Sequence, residues 1–407
     1  MTKPAGSLDG KSFALAAAAL VLAALFLSQT AEALFVWDTD SPSYYAAARG
    51  LGRGVNVYDD AAFQSVAEDV FGKSPVVLPY LYPPVLAQAV RPLATLSPAS
   101  YFLTLQVLNW VLAFLALFLT ARLLGLTWKD DSLSILFLFA LLPWNRALFT
   151  TIHHGQVNLL VLDALLAFLL FSRSGRPWPA GFFLSLAILL KVYPVLFVLP
   201  LLFGRKTKQL AAVAAGGAGI VLASVLVGGT KPWGDFLAFF WRAFSPSRDS
   251  AFLVGFEGAV GNVSLNGFIH HLFEAAGWPR SAAAPAWGLS LAALAVAVLL
   301  LVRRTRWTSD LGLQASVLLL ATLLIAPISW SHHYVVVLVP AVYLFRRTLA
   351  ERRYPALAPL GAFAGLALYH PSWCGFPFNQ ARTAGALALL LLLLVFDRRR
   401  AVGEGGK

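Results

Sequence analysis

The 407-residue chain has one cysteine and one methionine, and only 12% of its residues are charged. A lone Cys374 can form no internal disulfide, and it excludes cysteine-rich zinc and iron–sulfur sites. The charged fraction is about half that of a soluble domain. Acid is scarcer than base, with 19 Asp and Glu against 31 Lys and Arg and a formal charge of +12. The bases do not interleave with aromatics in a polar module, which excludes a nucleic-acid-binding domain. What the chain has in excess is hydrophobe, 59% of its residues. Several runs approach the roughly 20 apolar residues that cross a bilayer. The fold class is therefore an all-α polytopic membrane protein, read as a single integral membrane domain over residues 1–407.

Twelve apolar helices are predicted, from Phe13–Leu27 to Thr383–Phe396. The first run, followed by Ala31-Glu32-Ala33, has features of a signal peptide, but the many later spans favour a retained helix. Leu133–Thr150 reads as one continuous span. Residues 179–203 do not. As one span they would carry Arg205, Lys206 and Lys208 across the bilayer, against the positive-inside rule. As two half-helices, Pro179–Leu190 and Val192–Phe203, they keep those bases on the starting side. Pro194 biases Tyr193 away from helix, which places the break at Lys191-Val192-Tyr193-Pro194. Irregular backbone at membrane depth must line protein or water.

This topology puts both termini in the cytoplasm, with 20 of the 31 Lys and Arg in short cytoplasmic segments. The basic excess is thus an orientation signal. Two long loops, about 28–100 and 228–283, fall outside. Their apolar and aromatic residues, among them Phe63, Phe71, Phe236 and Phe240, predict helices lying on the outer leaflet.

The polar residues then gather on one face. All seven histidines lie outside, six as adjacent pairs. A transporter would spread such groups along a path through the membrane. Asp38 and Asp40, just past the first helix and before Tyr44 and Tyr45, could supply a general base or simply begin a solvated loop. Lys191 in an apolar run could meet a phosphate or snorkel to the interface. His154, Gln156 and Asn158 sit around a glycine turn, and Asn262 and Ser264 in a second short loop; both sets suit sugar hydroxyls as well as turn capping. Trp330, His332 and His333 open a helix whose N-terminus favours an anion. Adjacent histidines on a helix diverge by about 100°, so the pairs are poor chelators, and no metal is expected. Tyr80-Leu81-Tyr82-Pro83-Pro84 reads as a stiff connector with interfacial tyrosines.

In order along about residues 36–340 stand an acid with Tyr44-Tyr45-Ala46-Ala47-Ala48, Tyr82-Pro83-Pro84 and Gly155-Gln156-Val157-Asn158. Lys191-Val192-Tyr193-Pro194, Asn262-Val263-Ser264 and Pro327-Ile328-Ser329-Trp330-Ser331-His332-His333 follow. The set resembles the polyprenol-phosphate-dependent glycosyltransferases of family 87, with the GT-C membrane fold. The resemblance implies inverting transfer of a sugar, mannose or arabinofuranose, from a polyprenyl-phosphate donor to a glycolipid or polysaccharide acceptor. It implies a plasma-membrane enzyme without cofactor, working on the non-cytoplasmic face. Asp40 maps to the base, with Asp38 the alternative because Ser41 stands where the family usually has an aromatic. Lys191, His332 and His333 map to the donor phosphate. Tyr44, Tyr45, His154, Gln156, Asn158, Asn262, Ser264 and Trp330 are the sugar and acceptor candidates. The competing class is a lipid or solute transporter.

Overall fold

The computed structural model describes residues 10–35, 40–72, 77–244, 259, 261–304, 310–369 and 376–404. Asp38, His370 and Cys374 lie outside these residues. Among the described residues the regular elements are all helical. Six helices among the described residues are long and apolar enough to cross a membrane, or seven if the bent pair Trp128–Trp144 and Arg146–His153 counts as one. The chain is an integral membrane protein.

After α1 (Gly10–Thr30) the chain turns through three short helices, α2 (Asp40–Gly52), α3 (Asp60–Phe71) and α4 (Pro84–Val90). These occupy the first long loop, as the apolar residues there predict. Phe63 is buried under α2, and Pro84 starts α4 at the one helical turn that needs no N–H. The bundle follows with α5 (Pro98–Leu124), α6 (Trp128–Trp144), α7 (Arg146–His153) and α8 (Asn158–Arg173). The expected single span Leu133–Thr150 is in fact broken. Asn145 accepts the Leu148 N–H and so caps a new helix, and the chain bends by 52° there.

The expected half-helices are present. α9 (Pro177–Leu190) ends at Lys191, whose backbone is extended, and Tyr193–Val198 returns as a 3₁₀ turn into α10 (Leu199–Phe203). α11 (Thr207–Gly228) packs along α9. A side chain at Gly181 would strike the backbone of Ala212, so the two helices touch where Gly181 has none. α12 (Lys231–Phe244) lies against the first loop, with Phe236 and Phe239 on Tyr58 and the Trp233 indole donating to Ser224 Oγ at 2.9 Å. Its other face shows Leu237 and Trp241, 60% and 77% exposed. The remaining helices are α13 (Leu265–Ala275), α14 (Ala283–Arg304), α15 (Leu311–Ile325), α16 (Leu338–Ala350), α17 (Leu357–Tyr369) and α18 (Ala381–Glu404).

The helices give the bundle two chemically different poles. At one, Arg173 donates to the carbonyls of Arg122 and Leu123, Arg346 pairs with Asp131 at 2.8 Å, and Tyr343 donates to Asp310 at 2.8 Å. This joins the C-terminal ends of α5, α8 and α16 to the starts of α6 and α15. Lys206 belongs to the same pole, in a crevice with Ser172 and Leu311. The broken hairpin therefore does return the Arg205–Lys206 turn to the basic end. The opposite pole collects the ends that carry Asp40, Gln156, Lys191 and His332.

Candidate active site

The site is built on the turn between α7 and α8. Gly155 has φ +60°, a left-handed conformation that lets the chain reverse within three residues. The amide of Ser41 donates to the His154 carbonyl at 3.1 Å, so the start of α2, and with it Asp40, is pinned to this turn. A methyl on Gly155 would press on Ser41 and Leu105. Gly155→Ala is therefore expected to destabilise the protein by more than about 1 kcal/mol, read as a lower melting temperature.

Beyond the turn, Gln156 and Asn158 are buried and point inward. Tyr44 Oη donates to Gln156 Oε1 at 2.9 Å and meets Tyr82 Oη at 3.1 Å. Burial pushes the hydroxyls of Tyr44 and Tyr82 above their ordinary range, helped at Tyr44 by Tyr82 and then Asp40, and at Tyr82 by Asp40. Both therefore act as neutral donors. Tyr82 also offers its ring face, 5.4 Å from Lys191 Nζ.

Lys191 is the centre of the arrangement. It is only 7% exposed, and its Nζ donates to Asn158 Oδ1 at 2.7 Å and Gln156 Oε1 at 3.3 Å. Asp40 acts on it electrostatically. Its Nζ also stands 3.1 Å from His333 Nε2. His333 Nδ1 accepts the Trp330 N–H at 3.2 Å. A neutral imidazole has a single acceptor nitrogen, so Nε2 then carries the proton and faces the lysine donor to donor. The two nitrogens are too close for an atom to lie between them; an anionic oxygen alongside both would accept from each.

His332 turns the other way. Its carbonyl accepts from Thr151 Oγ1 at 3.0 Å and Asn158 Nδ2 at 3.2 Å, and its ring packs edge-on against His154. Its buried Nε2 has no hydrogen-bond partner among the described residues. Of the adjacent pair it is thus His333 that reaches Lys191.

Other candidates are placed differently. Tyr45 donates to the Leu96 carbonyl at 2.8 Å and packs on Phe71 and Tyr101, away from Lys191. Asn262 and Ser264 brace the chain: Asn262 Nδ2 and Ser264 Oγ both donate to Pro327 O at 3.2 Å, and Asn262 Oδ1 accepts the Ser329 N–H at 3.0 Å. Their loop thereby holds the segment that carries Trp330 and His333, and Trp330 lies against Gly261. His271 sits on α13 beside Glu274, and His153 stacks on Phe149. Among the described residues no three His, Cys, Asp or Glu come together as a metal site.

Tyr82 joins this cluster with only its Tyr-Pro-Pro setting as a signal in the sequence. The start of α18 and the turn before it add a brace that no motif announces. Gln380 donates to the Asn262 carbonyl at 3.0 Å, and Thr383 and Tyr334 donate to the Val263 carbonyl at 2.7 and 2.6 Å. Thr383→Val is expected to cost about 1 kcal/mol in thermal unfolding, and Thr383→Ser to restore it.

These geometries coincide with a family match. The model of glycosyltransferase family 87 matches residues 80–327. The chain belongs to this family. It is 29% identical to a polyprenol-phosphate-mannose-dependent alpha-(1-2)-phosphatidylinositol mannoside mannosyltransferase of Mycolicibacterium smegmatis, over 66% of this chain and 63% of that protein. It is likewise 29% identical to the protein of that name in Mycobacterium tuberculosis, over 72% and 67%. A pentamannoside mannosyltransferase of Mycobacterium tuberculosis is 27% identical over 68% and 60%. The chain thus spans about two thirds or less of the length of these relatives. No solved structure matches. Gln156, Asn158 and Lys191 fall inside the family match, whereas Asp40, His332 and His333 lie beyond its ends.

Proposed function

We propose that the chain transfers a sugar, mannose, from a polyprenyl-phosphate donor to a hydroxyl of a glycolipid on the non-cytoplasmic face of the membrane. The observation that carries this reading is the convergence of Lys191 Nζ and the His333 ring on one point, beside Asp40, at the pole opposite the basic residues. Family membership and the names of the relatives supply the donor class.

In this reading Asp40 takes the proton from the acceptor hydroxyl as its oxygen attacks the anomeric carbon. The bond from that carbon to the phosphate oxygen breaks, and the electron pair leaves with polyprenyl phosphate. The charge that grows on the phosphate meets Lys191 and the His333 N–H, preset donors in a site from which water is largely excluded. Attack and departure on opposite sides invert the anomeric centre. Tyr44, Tyr82 and Gln156 hydrogen-bond the sugar, and His154 and Trp330 border it. No step requires a metal.

The donor sugar is tested by giving purified protein polyprenyl-phosphate mannose and the arabinofuranose donor in parallel. Transfer of mannose alone supports the proposal, and transfer of arabinofuranose alone replaces the sugar. A transporter instead moves its substrate across proteoliposomes with no sugar transfer. One feature leans towards that reading: Asp163, inside α8, is buried, and neither carboxylate oxygen has a hydrogen-bond partner among the described residues.

A further inference from the structure

The turn of the broken hairpin brings a second polar group to the site. Tyr193 opens the 3₁₀ turn two residues after Lys191. Its backbone is held from both sides, by Pro194 and by the Val195 N–H, which donates to the Val192 carbonyl at 3.1 Å. Its ring packs beside His333, with centroids 6.2 Å apart, and Tyr193 is near enough to Tyr82 to act on it electrostatically. Tyr82 in turn presents its ring face to Lys191 Nζ. Tyr193 thus joins the cluster of Lys191, His333 and Tyr82.

The fold makes no use of its hydroxyl. The oxygen is sealed from solvent and has no hydrogen-bond partner among the described residues. The tyrosine hydroxyls nearby are engaged: Tyr44 with Gln156, Tyr82 with Tyr44, and Tyr80 with the Pro83 carbonyl. Burying a polar group unpaired costs stability, so phenylalanine would serve better at 193 if only the ring were needed. A sealed donor beside a lysine and a histidine N–H suits a ligand that offers several acceptor oxygens.

The place of Tyr193 says which part of the ligand it meets. Tyr44, Gln156 and Asp40 lie towards α2, on the side given above to the sugar and its acceptor. Tyr193 lies on the hairpin, and Val192 and Val195 around it are 44% and 47% exposed on the outside of the bundle. In a lipid-linked donor the phosphate stands between sugar and chain. With the sugar towards Tyr44, the phosphate lies at Lys191 and the chain leaves past the hairpin turn. One phosphate oxygen alongside Lys191 and His333 leaves others without a donor.

We propose that Tyr193 is a further ligand of the donor phosphate, its hydroxyl donating to an oxygen that Lys191 and His333 leave free. The proposal rests on the transferase reading. As charge grows on the leaving phosphate this hydrogen bond strengthens, so the residue acts on kcat as well as on donor binding.

Tyr193→Phe removes the hydroxyl and keeps the ring against His333. Its kcat/KM for polyprenyl-phosphate mannose is expected to fall by about ten- to hundred-fold, the worth of a hydrogen bond to a charged oxygen. Affinity for polyprenyl phosphate, which has no sugar, should fall by about ten-fold, while affinity for uncharged polyprenol stays at the wild-type value. The melting temperature without donor should be unchanged or higher, because no partner is lost. Wild-type affinity of the variant for polyprenyl phosphate overturns the proposal, and a loss confined to the sugar-bearing donor would place the hydroxyl on the sugar instead. A lower melting temperature with polyprenol binding weakened equally would make the residue structural and also overturn it. A variant that matches an active wild type overturns this inference alone. A wild type that neither transfers sugar nor binds polyprenyl phosphate overturns the transferase reading, and this inference with it.

Discussion

Asp40→Asn is expected to lower the rate of sugar transfer by about 10²–10⁴-fold, the usual worth of a positioned general base. The amide keeps the shape of the carboxylate and cannot take the acceptor proton. Asp40 is carried at the start of α2, which the Ser41 amide ties to the His154 carbonyl, so the backbone that positions it has an anchor other than its side chain. The KM for the donor should therefore change little while kcat falls, the pattern of an interaction made mainly in the transition state. Steady-state assays with a labelled lipid donor separate the two. Undiminished transfer by Asp40→Asn would remove it as the base and turn attention to Asp38.

Lys191→Met should show a different pattern. Here the lost group meets the donor phosphate in the ground state and the leaving phosphate in the transition state. Both kcat and donor affinity should fall, with kcat/KM lower by about 10²–10³-fold. The variant also leaves Asn158 Oδ1 without the lysine it accepts from, and Gln156 Oε1 with Tyr44 as its main donor. A stability cost of about 1–3 kcal/mol accompanies that loss. Measuring the melting temperature beside the kinetics separates the two effects. Lys191→Met with normal kcat/KM would contradict the phosphate role.

Lys191 shows how far the sequence could be read. A lysine in an apolar run before Tyr-Pro, with bases following, required a broken hairpin on charge grounds alone, and the chain has one. The apolar residues of the long loops do lie on helices, but Phe63 and Phe236 are buried against the protein and not on a lipid surface. The break at Asn145 has its own sequence signal, Pro143 two residues before it and the polar pair Asn145-Arg146 in an otherwise apolar run, and the capping bond to Leu148 fixes it. At the candidate site, local motifs located Gln156, Asn158 and Lys191 but not what each touches. Asn262 and Ser264 looked like sugar ligands because short polar side chains suit both a ligand and a turn. Their partners turned out to be Pro327 and Ser329, over 60 residues away. The brace from Gln380 and Thr383 is likewise a product of long-range packing, and neither residue stands in a motif.

The pole holding Asp40, Lys191 and His333 is expected to perform sugar transfer from a lipid phosphate. The most direct measurement follows label from polyprenyl-phosphate mannose in purified wild-type protein reconstituted with a phosphoglycolipid acceptor. The expected result is label in the glycolipid, with release of polyprenyl phosphate in equal amount. Folded, monodisperse protein that binds the donor yet moves no label into any glycolipid would contradict it.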